Sequence, residues 1–208
     1  MVSGGLDSAT ALSLTSRREK VSALFFDFGQ ASADYELTSA RQICRQFDVP
    51  LEAVSIPGLK HLFLGITPEP QVALGFFRAG AGPGNGGNCP RGLFGVAATY
   101  CVSAQIPALV TGMHAGDVDD ALAMSDYLDS WSAAMRKLQK IEFKFDTPLL
   151  QKSKAEVVVI GAELGVPLEA TRSCCEPTPI HCGTCKPCKE RKAAFVAAGV
   201  VDKTAYSS

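Results

Sequence analysis

Several classes of protein are excluded by what this chain lacks. No apolar run approaches the roughly 18 residues that a membrane-spanning helix needs. The first residues carry no basic segment, no apolar core and no cleavage site of a secretory signal, so a cytoplasmic protein is expected. An excess of one charge is also missing. The net charge is −1, from 20 basic and 21 acidic residues, which argues against nucleic acid or an anionic membrane as a partner. There is no repeat at solenoid spacing. A disulfide framework is lacking too, although there are eight cysteines: five of them, Cys174, Cys175, Cys182, Cys185 and Cys188, bunch together, as metal ligands do. What remains is 208 residues, 47% hydrophobic and 20% charged, enough to bury most of their apolar surface in one unit without covalent staples.

Apolar runs alternate with helical patterns along the chain. Helices are expected over 6–17, 33–47, 91–105, 125–139 and 153–165, with a last one in KERKAAFVAAG stopping at Gly199. Strands are expected over 21–28, 51–56, 107–113 and 143–147. In 21–28 the apolar residues run on without alternating, as in a strand buried on both faces. Strands alternating with helices imply a doubly wound parallel α/β sheet. The expected division is 1–170 for the α/β domain and 171–208 for a cysteine knuckle and C-terminal helix within the same unit. Residues 79–92, AGAGPGNGGNCPRG, hold six glycines and read as a loop, with the look of a lid.

Two segments carry chemistry. The first is Ser3-Gly4-Gly5-Leu6-Asp7-Ser8, a glycine turn leading straight into a helix. Unpaired N–H groups and the dipole make such a helix start an anion site, glycine lets the backbone approach phosphate, and serines add donors. It lacks the lysine of a Walker loop. The second is C-x7-C-x2-C-x2-C, from Cys174 through Cys182 and Cys185 to Cys188. Four thiolates match the closed tetrahedral shell of structural zinc. Cys175 is the alternative first ligand. Iron–sulfur is the competing occupant, although the fourth cysteine of a ferredoxin run, the one before a proline, is missing. His181 is adjacent, but four cysteines leave it no place in the shell. Lys186, Lys189, Arg191 and Lys192 give this region a modest basic density.

SGGLDS resembles the PP-loop of ATP pyrophosphatases, enzymes that activate a substrate by adenylation. The resemblance implies that Ser3, Gly4, Gly5, Leu6, Asp7, Ser8, Ala9 and Thr10 hold ATP and Mg2+ while the α-phosphate is attacked. Asp27, Gly29 and Gln30, at the end of the 21–28 strand, fall on the adenosine side, and Gly112 is expected among the nucleotide contacts. Only Met1 and Val2 precede a motif that normally follows a full strand.

The turn and the knuckle together resemble the 7-cyano-7-deazaguanine synthase family. DFGQ (27–30), CPRGL (89–93), TGMHAGD (111–117), TPLLQKSKAEV (147–157), LGVPLEATRSCC (164–175) and CGTCKPCKERKAAF (182–195) carry that likeness over nearly the whole chain. It implies ATP, Mg2+ and Zn2+ as cofactors, Cys174 as first ligand, a deazaguanine carboxylate and ammonia as substrates, and a homodimer. Asp7 and Ser8, with Arg91 and Lys154 to neutralise phosphate charge, are the expected catalytic residues. A cation is disfavoured at a helix N-terminus, so Lys154 hints at an anionic neighbour. His114 and Asp117 fall in a loop after a strand; Asp117 is read equally as a ligand of magnesium or base and as a loop cap. The chain departs from the family pattern at Ala31-Ser32, where Arg-His is usual, at Gly92 after Arg91, and at Met124–Tyr127, where Tyr-Pro-Asp-Cys-Arg is expected. Those departures leave open a paralogue that stops at the amide or serves another acceptor. An inactive nucleotide-binding zinc module is the alternative of another class.

Overall fold

A computed structural model describes residues 1–56 and 91–208. The glycine-rich stretch up to residue 90, with Cys89, lies outside the described residues, as does the side chain of Arg91. The described elements are α1 (Leu6–Ser16), β1 (Ala23–Asp27), α2 (Ala33–Gln46), β2 (Leu51–Ser55), α3 (Arg91–Ser103), β3 (Ala108–Val110), α4 (Ala121–Gln139), β4 (Lys144–Asp146), α5 (Lys154–Glu163) and α6 (Lys186–Ala198). Short 3-10 turns cover Ala115–Asp117 and Leu168–Ala170.

The strands pair in parallel: β1 with β2 from Ala23↔Leu51 to Asp27↔Ser55, and β3 with β4 from Ala108↔Lys144 to Val110↔Asp146. Residues 1–2 lie between the two pairs. The Val2 N–H donates to Leu24 O at 2.9 Å and the Met1 nitrogen donates to Val110 O at 2.6 Å. Met1 and Val2 thus run between β1 and β3, and this brings the turn that follows to the carboxyl ends of these strands.

β1 is buried on both faces, and its side chains divide alternately between two cores. Ala23 and Phe25 join a core formed with α1, α2, α5 and α6. Leu24 and Phe26 join a second core with α3, α4, β3 and β4. The result is a doubly wound α/β fold with parallel strands. Each fully buried large side chain, such as Phe25, Phe143 or Phe195, contributes roughly 2–3 kcal/mol.

Some elements depart from their expected limits. β3 covers three residues, not seven, because the chain turns away at Thr111-Gly112 to pass α1. α4 begins four residues earlier than its apolar pattern suggests, since Asp120 caps Leu122 N and Ala123 N at 2.8 and 3.0 Å. α4 is also tied to β4 through buried Ser132, whose hydroxyl donates to Leu128 O and accepts from Phe145 N. α6 ends at Gly199, which stands in the left-handed region.

Candidate nucleotide site and four-cysteine centre

The glycine turn is set by its own serines and by its neighbours. Ser3 N donates to Ser8 Oγ at 3.1 Å, the two hydroxyls lie 3.1 Å apart, and Ser8 Oγ donates to Gly5 O at 3.0 Å. Gly4 has φ +76, and a Cβ there would stand 2.2 Å from Glu36 O, so both conformation and space demand glycine. On the far side, a Cβ on Gly112 would meet Asp7 C and Ser8 N at 2.6 Å, which lets the β3 loop pass directly against the start of α1. Gly5 caps α1 without a side-chain acceptor. The first amides of α1, at Leu6, Asp7 and Ser8, therefore have no partner within the helix or from its cap. The side chains of Leu6, Ala9 and Thr10 are turned into the core, so these residues offer only main chain to a ligand. Thr10 Oγ1 donates back to Leu6 O.

Four polar side chains from distant parts of the chain converge beside this turn. Lys154 Nζ donates to both Asp7 oxygens, at 2.6 and 2.5 Å. It is placed by a capping box at the start of α5, in which Glu156 N donates to Ser153 Oγ and Ser153 N donates to the Glu156 carboxylate. The anionic neighbour that the lysine implied is Asp7 itself. His114 Nδ1 accepts from Gly116 N at 3.0 Å, which leaves Nε2 as the protonated nitrogen, 3.9 Å from Asp7 and 3.5 Å from Asp117. Asp117 also accepts from His114 N at 3.0 Å, so it does cap the loop. Burial lifts the Asp117 carboxyl above its usual range against the pull of His114, with Asp7 adding to the rise. Close by, Thr111 Oγ1 is buried with no hydrogen-bond partner.

The end of β1 forms a second wall. Asp27 accepts from Gly29 N at 2.9 Å and from Ser55 Oγ at 3.0 Å. Gln30 folds back onto Phe28 N, Phe26 O and Glu36, and buried Ser32 donates to the other Glu36 oxygen. Sequence reasoning passed over Glu36. Its only visible signal was an acidic residue in the first turn of a helix.

The thiols of Cys174, Cys182, Cys185 and Cys188 lie within 4.8 Å of one another. A tetrahedral ion with Zn–S bonds of about 2.3 Å spaces its sulfurs by about 3.8 Å, so this cluster can hold one metal ion. Cys182 N donates to Cys174 Sγ and Cys185 N to Cys182 Sγ, both at 3.3 Å. The Cys185 N–H, aided by Thr184, pulls the Cys182 thiol down to about 6, toward the thiolate a metal requires. Cys175, the alternative first ligand, is exposed and outside the set. His181 has a task of its own: its Nε2 accepts from Ser173 N at 2.9 Å, and burial, with Arg191 and Arg172 near, pulls its pKa to about 4.

Two arginines here correct the sequence reading. Arg191 is fully buried and contributes nothing to a basic surface. It donates to Asp202, Thr171, Ser173 and Leu168 O, and its guanidinium stacks 4.7 Å over Phe195. Arg172, also buried, lies within LGVPLEATRSCC but was given no role of its own.

The family model described as "Queuosine biosynthesis protein QueC" matches residues 1–66 and 91–199. The 7-cyano-7-deazaguanine synthase of Methanosphaera stadtmanae is 27% identical, over 99% of this chain and 96% of that protein. The synthase of Methanopyrus kandleri is 29% identical over 99% and 96%, and that of Brucella anthropi 30% identical over 98% and 90%. Among solved structures, the U34-tRNA thiolase NcsA from Methanococcus maripaludis, with its [4Fe-4S] cluster, superposes with a TM-score of 0.53 at 14% identity. The match covers 94% of this chain and 63% of the thiolase, and shows a shared fold. No described helix is long and apolar enough to cross a membrane. The match to the family model over most of the chain, with relatives alike from end to end, shows that the chain belongs to the QueC family.

Proposed function

We propose that this chain uses ATP to convert the ring carboxylate of 7-carboxy-7-deazaguanine into the nitrile of 7-cyano-7-deazaguanine, with ammonia as the nitrogen source. The observation that carries the reading is the uncapped start of α1, with Asp7 and Lys154 paired across it. Its free amides and the Ser3 and Ser8 hydroxyls suit phosphate oxygens, and Asp7 suits Mg2+.

The chemistry asks little of the protein beyond placement and charge neutralisation. A carboxylate oxygen attacks the α-phosphate, and pyrophosphate leaves. Ammonia displaces AMP from the acyl adenylate and loses a proton, giving the amide. The amide oxygen attacks the α-phosphate of a second ATP and pyrophosphate leaves again; loss of AMP and two protons then yields the nitrile. In this reading Lys154 turns from Asp7 to phosphate charge as it develops, and Arg91 has the same role. Asp27, Gly29, Gln30 and Gly112 are assigned to the nucleotide. The cysteines fit Zn2+: four thiolates within 4.8 Å suit a single ion, whereas a four-iron cube spreads its ligands much further apart. Zinc there serves structure. The cytoplasm and a homodimer complete the reading.

A second reading, release of the amide, is favoured by the Gln30–Glu36–Ser32 network, which fills the stretch where the family carries Arg-His. Mass spectrometry of the product separates the two. The protein is given 7-carboxy-7-deazaguanine, ammonium, magnesium and ATP, with Asp7→Ala as control. The nitrile is expected. The amide alone would establish the second reading, and no product with nucleotide bound would sink both.

A further inference from the structure

Arg172 bonds both the glycine turn and the main chain of Cys174. Its main-chain N–H donates to Gly4 O at 2.8 Å, the carbonyl at the centre of the glycine turn. On the opposite side the turn is backed by Glu36 O, so Gly4 is held between α2 and residue 172. The Arg172 side chain is only 6% exposed. Its Nε donates to Cys174 O at 3.2 Å and its Nη2 to Glu176 O at 2.5 Å. The guanidinium also lies 4.9 Å over the ring of Tyr35, the residue before Glu36. One side chain therefore grips the main chain at Cys174 and the helix that backs the turn, while its own backbone bonds the turn.

The remaining anchors of this segment belong to the knuckle. Arg191 holds Thr171 and Ser173 from α6, the helix whose cap and first turn supply Cys185 and Cys188. Where Cys174 and α6 stand thus decides where Arg172 stands. A metal ion bound by these four thiols, which lie within 4.8 Å of one another, would tie them together, and its removal would release them.

We propose that Arg172 is a positioning residue that couples metal occupancy of the four-cysteine centre to the geometry of the Ser3–Ser8 turn. The proposal rests on the metal and nucleotide assignments made above. Its warrant is a contiguous chain of bonds from Cys174 to Gly4, and coupling energies of the usual size change the linked equilibrium by roughly 5- to 150-fold.

The test reads hydrogen exchange in the full-length, zinc-loaded protein before and after chelation, in wild type, Arg172→Met and Arg172→Lys. Chelation is expected to raise exchange of the amides in 1–12 by about tenfold in wild type, while α4, in the other core, keeps its protection. In both variants the turn exchanges faster from the start, and chelation adds nothing further. Lysine retains a charge for Tyr35 but cannot bridge two carbonyls. An unchanged turn in chelated wild type would overturn the proposal even if neither variant folds. So would an equal rise in wild type and variants, or loss of protection that spreads to α4. Titration with magnesium and adenosine 5′-(β,γ-imido)triphosphate keeps the two ideas apart. Failure of the loaded wild type to bind it refutes the nucleotide assignment and leaves the exchange result to decide the coupling.

Discussion

The residues that matter most here were legible in unequal degree. Asp7, Ser8 and the four cysteines announce themselves by spacing, because phosphate turns and metal shells need particular atoms at short sequence intervals. Lys154 was legible by contradiction, as a cation where a helix start disfavours one. Arg191 was misread as surface charge, since nothing local reveals that Asp202, Thr171 and Leu168 O surround its guanidinium. Replacing it by methionine strands a largely buried Asp202. The expected loss is about 3 kcal/mol in urea unfolding, as for other broken buried ion pairs. Asp202 adds a pH dependence. Burial by itself would raise its carboxyl, but Tyr206, Thr204 and Arg191 donate to it and hold it below its usual range. A depressed carboxyl stabilises the fold above the unfolded pKa of about 3.9, and that share is lost as pH falls through the folded value. The stability gap between wild type and Asp202→Asn, followed in urea from pH 7 downward, should therefore narrow as pH falls below about 3.9. A gap independent of pH would refute the assignment. Gly112→Ala belongs at this scale too. Its Cβ would press on the backbone of Asp7 and Ser8, so nucleotide affinity should fall at least tenfold on the scale of a misplaced donor, with a smaller change in Tm.

Among the elements, α5 links packing to chemistry most directly. Its inner face, Val157 and Val158, is fully buried, and its first residue is Lys154. The capping box fixes both. Ser153→Ala should cost about 1 kcal/mol of stability in urea and also loosen Lys154, raising KM for ATP more than it lowers kcat. An equal effect on KM and kcat would argue against placement by the cap. Existence and type of the described elements followed from periodicity. Their ends did not, because β3 is cut short by the close passage at Gly112 and α4 is extended by Asp120, both outcomes of tertiary or side-chain contacts beyond any apolar pattern. His114 and Asp117 were legible as loop residues after a strand. Their meeting with Asp7 depends on how β3 lies along α1, which no local signal encodes.

For the whole molecule, the two cores share β1, while the cysteine centre anchors only the helix that completes the first of them. Chelation should therefore lower Tm by several degrees and broaden the transition, with α6 and Phe195 losing protection before α4 does. A Tm indifferent to metal would mean that the thiols hold their places unaided. The bond from Arg172 to Gly4 has another bearing, on the order in which the molecule is made. Gly4 leaves the ribosome well before the amide that holds its carbonyl, which emerges 168 residues later. At 5–20 residues per second that interval is on the order of ten seconds or more, during which the opening glycines exist without their last support. The turn is thus written long before it is finished, and on the nucleotide reading proposed above a nascent chain would have little to offer ATP until Arg172 had come through.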